Sequence, residues 1–402
     1  MKKLIFVTPK SYEIKRVDIV DISNYIYRKI SEIAPRVLKT EIFGSSPPEV
    51  FIGRIGYPRV YIGPLVPPEV GSTESLGLTE LWFGKPLEEI ISMRLSMVRG
   101  KSLTDVKNLE NKIILELHDM LLSRRAVDTE IKFSKAPRGV LFSFDSQPFG
   151  PSAPIEKFKI YPSSSDHLLE RTYYDTDLNA GSAVLQLYFS GEPVSRIQQA
   201  LSAGMLGTSR YRRLVPTRWS ITAVDDIISK HLLNHVRQFP VISEYEAYYL
   251  EYLDNKWIVV LMPRPWEYES IEAFLPGTLD DRYLAIGGDY ESYLGRSEYA
   301  SIGGCYYAAR LAIAERLYAR KRQAAALVLR EAHPGYKVPV GVWNVRESVR
   351  NALKQRPIRL NSVSEILEFI SSKMTVPINI WVKQSVLLRK VLSQRTLFDF
   401  LK

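Results

Sequence analysis

Gly44-Ser-Ser-Pro-Pro-Glu-Val-Phe-Ile-Gly-Arg-Ile-Gly-Tyr-Pro-Arg-Val-Tyr-Ile-Gly-Pro64 carries a near-repeat, Val50-Phe-Ile-Gly53 and Val60-Tyr-Ile-Gly63, around a Gly/Pro-rich connection. Two short β-prone runs bracketing turn residues predict a hairpin, with Arg54 and Arg59 at its loop. Further β-like runs occur at 138–144, 156–161, 183–189, 256–262 and 324–330. Apolar spacings of three and four predict helices over 21–34, 86–98, 103–122, 308–323, 342–355, 363–372 and 380–392. The first is expected to stop before Pro35, and Ser362 with Glu365 forms a capping-box pair for the sixth. The result is an α+β chain: a mixed sheet-containing N-terminal region over 1–280, a smaller helix-rich C-terminal region over 281–392, and a short flexible tail over 393–402.

At 402 residues the chain is long enough for two or three domains, and its composition is that of an ordinary globular protein. Lys and Arg number 54 against 44 Asp and Glu, a formal charge of +10 that favours polyanionic partners. One cysteine, Cys305, excludes an intramolecular disulfide and a Cys-rich zinc site, and fits a reducing, cytoplasmic setting. The apolar start Leu4-Ile-Phe-Val7 is too short for a signal peptide or a membrane span.

The densest basic-aromatic stretch is Arg210-Tyr-Arg-Arg-Leu-Val-Pro-Thr-Arg-Trp219. Arg210, Arg212, Arg213 and Arg218 can pair with phosphates, while Tyr211 and Trp219 can stack on bases. Thr222 with Asp225 is expected to open the following helix, which would put Asp225 and Asp226 in its first turn. A solvated loop whose arginines meet carboxylates of the same domain accounts for the stretch equally. The hairpin, with Ser45, Ser46, Arg54 and Arg59, offers a backbone nest for a phosphate, or is structural punctuation.

His231-Leu-Leu-Asn-His235 lacks the glutamate of a zinc protease, so no zinc is expected. Aspartates pair at Asp175/Asp177, Asp225/Asp226 and Asp280/Asp281; Mg²⁺ would be implied only if they served a nuclease. Glu130-Ile-Lys132 imitates half of a nuclease signature, and Cys305 on an apolar run reads as core.

The chain ends Gln394-Arg-Thr-Leu-Phe-Asp-Phe-Leu-Lys402. In one 3₁₀ turn Leu397 and Phe400 would point the same way, with Leu401 beside them and Gln394 free to fill a polar pocket. This resembles the PIP motif by which partners bind PCNA, the sliding clamp; Leu401 stands where a second aromatic is usual. A terminal helix docked on the body is the alternative.

Four longer stretches, Phe43 to Pro58, Leu214-Val-Pro-Thr-Arg-Trp-Ser-Ile-Thr-Ala-Val-Asp-Asp226, Gly303-Gly-Cys-Tyr-Tyr-Ala-Ala-Arg310 and Pro339-Val-Gly-Val-Trp-Asn-Val-Arg-Glu347, are similar to the archaeal Nre family of DNA repair proteins. The resemblance implies DNA damage repair through recruitment to the clamp by Gln394, Leu397, Phe400 and Leu401. Some members carry a four-cysteine zinc finger that one cysteine cannot build. The expected role is a clamp-recruited repair factor with basic surfaces for DNA or a nucleotide; a clamp-tethered phosphodiesterase or nucleotide-processing enzyme, or a bridging adaptor, are the alternatives.

Overall fold

The computed structural model describes residues 5–7, 19–162, 164–278 and 282–393. The expected boundary at 280/281, with Asp280 and Asp281, and the tail residues Gln394, Leu397, Phe400 and Leu401 lie outside the described residues. The chain forms two compact units: Ser23–Ile228 with Val338–Asn344, the first unit, and Met1–Ile22, Ser229–Lys337 and Val345–Lys402, the second. Both combine a mixed sheet with helices, so the fold is α+β.

Strand β1 (Ile5–Val7) and helix α1 (Ile19–Val37) open the chain. The helix outruns the stop expected before Pro35. A proline in the last turn forfeits one main-chain bond, and the Leu38 N–H still reaches the Ala34 carbonyl at 3.0 Å. Strands β2 (Glu41–Ser46), β3 (Val50–Ile52) and β4 (Arg59–Val66) follow, with β3 and β4 forming the expected hairpin in the register Phe51 to Gly63. Gly63 is required there, because a Cβ would lie 2.0 Å from the Gly100 carbonyl oxygen.

Helix α2 (Leu87–Leu95) matches its periodicity, but the single helix expected over 103–122 is two elements. Strand β5 (Val98–Asp105) pairs with β4, and helix α3 (Lys112–Leu122) starts only where Asn111 accepts the Ile113 N–H at 3.0 Å. Strands β6 (Val127–Phe133) and β7 (Ser152–Tyr161) complete the sheet, in the order β2-β6-β7-β5-β4-β3, antiparallel except between β5 and β7. The run 138–144 is a loop with isolated bridges, Arg138 to Ser152 and Leu141 to Phe149, interrupted by Gly139 at φ +71°.

Helices α4 (His167–Tyr174), α5 (Ala180–Phe189) and α6 (Val194–Ser202) come next. The strand expected at 183–189 is thus helical: Asn179 caps it by accepting the Ser182 N–H, and Ala183, Val184 and Leu187 bury one face. Helix α7 (Thr217–Val236) starts five residues before the expected Thr222. The Pro216 carbonyl accepts the Trp219 and Ser220 N–H groups, so the first turn winds onto the proline.

The second unit orders its sheet β1-β11-β10-β12-β9-β8-β13, using β8 (Tyr245–Tyr252), β9 (Asn255–Met262), β10 (Tyr268–Phe274), β11 (Leu284–Glu291), β12 (Ala325–Ala332) and β13 (Ile358–Leu360). Only β10 and β12 run parallel. Helices α8 (Gly304–Arg320), α9 (Trp343–Lys354) and α10 (Val363–Lys373) stand where expected, and Ser362 accepts the Glu365 N–H to cap the last. The helix expected over 380–392 is broken into α11 (Ile378–Gln384) and α12 (Val386–Ser393). Glu269 of β10 causes the break by accepting Ser385 Oγ–H and the Val386 and Leu387 N–H groups. A carboxylate at a helix N-terminus suits the dipole. Val260, Met262, Leu327 and Leu329 pack on Ile366, Ile370, Trp381 and Leu387. Cys305 is buried in α8. Among the described residues no helix is long and apolar enough to cross a membrane.

Candidate nucleic-acid interface

Thr217, the first residue of α7, is buried, and its Oγ1 accepts the Ile52 N–H of β3 at 2.9 Å. The Tyr57 and Trp219 rings meet at 5.3 Å. These contacts bring the hairpin and the end of the arginine-rich stretch together. Between them lies a pocket of about 360 Å³. Its cations are Arg54, Arg99 and Arg218, its rings Phe51, Tyr61, Phe142 and Phe149, and its hydroxyls Ser143 and Ser146. Pro216 places the N-terminus of α7 at the same pocket, where the helix dipole favours an anion.

Arg218 is half-buried and ion-paired with Asp145 at 2.9 Å. Arg54 is exposed, without an ion pair among the described residues. Arg99, on β5 opposite Leu65, is 8% exposed. Its Nη2 donates to the Tyr61 carbonyl at 2.8 Å and the Phe51 carbonyl at 3.3 Å, and its guanidinium lies 4.4 Å from the Phe51 ring centroid. Its Nε–H is buried with no acceptor. Desolvation pushes the guanidinium down from the usual arginine range to about 9.

A second, more open groove of about 640 Å³ gathers Lys107, Asn108, Arg210, Tyr211, Arg212 and Arg213. Arg210 and Arg213 are exposed, and Arg210 lies 5.7 Å from the Tyr211 ring. Arg212 is committed elsewhere: it donates to the carbonyls of Gly207, Tyr173 and Asp175 at 2.6, 2.7 and 2.8 Å. Desolvation also lowers its pKa.

The four residues expected to form one phosphate nest are divided. Ser45 is buried, donating to Asp128 at 2.6 Å and accepting the Gly71 N–H at 2.9 Å, so it fastens the loop after β4. Ser46 is fully buried. Arg59 is exposed at the start of β4, and Arg54 alone of the four lines the pocket. Asp225, expected in a first helical turn, lies two turns into α7, fully buried and accepting from Gln198 Nε2 at 3.0 Å. Lys132 of the Glu130-Ile-Lys132 segment pairs with Glu156 on the exposed side of β6. His231 and His235 stack edge to face on α7. Among the described residues no group of three His, Cys, Asp or Glu is placed to hold a metal ion.

Sequence reasoning missed Arg99 and Asp145. The signal for the first is an arginine inside the apolar run Met97-Val-Arg-Gly100, which predicts a buried charge but not its partner.

Comparison with known proteins agrees with the family resemblance. The family model described as "Archaeal Nre, N-terminal" matches residues 19–280, and "Archaeal Nre, C-terminal" matches 291–400. The chain is 39% identical to DNA repair protein NreB of Archaeoglobus fulgidus, over 93% of this chain and 97% of that one. It is 35% identical to DNA repair protein NreA of the same organism, over 87% and 88%. It is 32% identical to DNA repair protein NreA of Haloferax volcanii, over 89% of each. No solved structure gives a significant match. The chain belongs to the archaeal Nre family.

Proposed function

We propose that this chain is a DNA repair factor whose first unit holds DNA or a nucleotide and whose tail docks on the PCNA sliding clamp. The observation that carries the DNA-binding part is a set of cations left available beside exposed rings. Arg54, Arg59, Arg210 and Arg213 have no carboxylate partner among the described residues, while Tyr57, Tyr211 and Trp219 remain 43%, 66% and 45% exposed. Guanidinium groups neutralise phosphates and flat rings stack on bases, a combination suited to a polynucleotide. Relatives named DNA repair proteins support the repair role. The clamp part is supported by the sequence Gln394, Leu397, Phe400 and Leu401.

A salt series tests the DNA-binding part. Affinity for single-stranded DNA should fall steeply with salt, and the Arg210→Ala/Arg213→Ala form should have a logarithmic slope shallower by roughly 1.4, about 0.7 per lost phosphate contact. An unchanged slope and affinity would remove the groove from the interface.

A further inference from the structure

We infer that the Arg99 pocket binds a single nucleotide, with its phosphate at Arg99 and its base against the aromatic lining. Five arginines of the described residues are buried: Arg94, Arg99, Arg310, Arg330 and Arg346. Four have a carboxylate beside them: Arg94 with Glu49 at 2.7 Å, Arg310 with Glu291 at 2.8 Å, Arg330 with Glu272 at 2.7 Å and Arg346 with Glu347 at 3.6 Å. Arg99 has none. A buried cation without a counter-ion is costly, and two carbonyls with the Phe51 and Phe149 rings, at 4.4 and 5.4 Å, offset that cost in part. An anionic ligand supplies what the fold omits.

The surroundings select the rest of the ligand. Arg54 and the first turn of α7 add positive potential, while Asp145 is engaged with Arg218. A phosphate ion alone would occupy a small part of about 360 Å³, a volume in the range that takes a small organic ligand. Tyr61, Phe142 and Phe149 offer flat apolar surface, and Ser143 and Ser146 offer hydroxyls for polar edges. A phosphate joined to a planar heterocycle meets both demands. The inference rests on the nucleic-acid reading only in choosing a nucleotide among phosphate-bearing aromatic ligands. The nucleotide is either free or a single unit of a strand, extruded or terminal.

The test uses the full chain and 2-aminopurine fluorescence. Three probes are titrated: the deoxynucleoside 5′-monophosphate, the deoxynucleoside without phosphate, and a single strand with one 2-aminopurine. Binding of the monophosphate, with the nucleoside weaker by about tenfold or more, identifies a free nucleotide as ligand. Binding seen with the strand alone identifies a nucleotide within a strand. In either case Arg99→Met should weaken the response by about tenfold or more, and its thermal midpoint should not fall, because it removes an uncompensated charge. Phe142→Ala, at a half-buried lining position, should weaken the same response and provides the decisive variant if Arg99→Met fails to fold. A response unchanged in either folded variant, or no response to any probe at millimolar concentration, overturns the inference. Salt-dependent DNA binding that persists with no such response leaves the nucleic-acid reading intact and removes only the pocket.

Discussion

The Glu49 carboxylate and the Arg94 guanidinium form a buried two-point pair in the first unit, at 2.7 and 2.8 Å. Arg94 also donates to the carbonyls of Pro148 and Leu76 at 2.9 and 2.7 Å. The pair therefore fastens the residue before β3, the turn after β4 and the loop before β7 onto α2. Arg99, five residues later, is also buried, at 8% exposed, and has no carboxylate partner among the described residues. Pairing thus separates an arginine that builds the fold from one available to a ligand.

Glu49→Gln should leave Arg94 buried without its counter-charge and cost about 3–5 kcal/mol of stability, measured by denaturant unfolding. A loss below about 1 kcal/mol would show that the pair contributes little.

The Tyr57–Trp219 contact ties the hairpin loop to the first turn of α7. A double-mutant cycle of Tyr57→Ala and Trp219→Ala should give a coupling of about 0.5–1.5 kcal/mol in stability. Trp219→Ala alone should weaken single-stranded DNA binding by about 1–3 kcal/mol. Full affinity in that variant would remove Trp219 from the interface.

Elements with local signals were legible in the sequence. The hairpin follows from turn residues between β-prone runs, and α10 from Ser362 and Glu365. Strand β12 shows through the apolar run Ala325 to Leu329, buried throughout, which Arg330 and Glu331 then interrupt. Elements defined by distant partners were not legible. Strand β5 is a strand because β4 and β7 flank it, and α11 and α12 part because Glu269 of β10 takes the N–H groups at the break. The start of α7 was misplaced because Thr222 and Asp225 imitate a cap, whereas Thr217 is held by Ile52, distant in sequence. Candidate site residues follow the same division: Arg54 is readable at the hairpin loop and Arg210, Arg213 and Arg218 in the basic-aromatic stretch, whereas the pocket at Arg99 requires the fold.

His118 of α3 is 3% exposed, with Nε2 bonded to the Ala203 carbonyl at 2.8 Å and Nδ1 to Tyr173 OH at 3.2 Å. Desolvation holds its pKa below the ordinary 6.5; the Ala203 bond opposes the shift and Arg212 adds to it. A base whose folded pKa is depressed contributes stability that is present above 6.5 and lost as pH falls through that value toward the folded one, because the unfolded chain then binds the proton more readily. Unfolding free energy should therefore drop as pH is lowered from 7 to 5, with a shallower drop in His118→Gln. Equal slopes in the two proteins would assign the acid sensitivity elsewhere.

Recruitment to the clamp is tested most directly by titrating the full chain and its Phe400→Ala form onto DNA with and without a loaded archaeal PCNA clamp. Loss of a central aromatic anchor should weaken association with clamp-loaded DNA by about 2 kcal/mol, roughly thirtyfold, and leave binding to bare DNA unchanged. Equal affinity of the two forms for clamp-loaded DNA would contradict a repair factor held at the clamp by its tail.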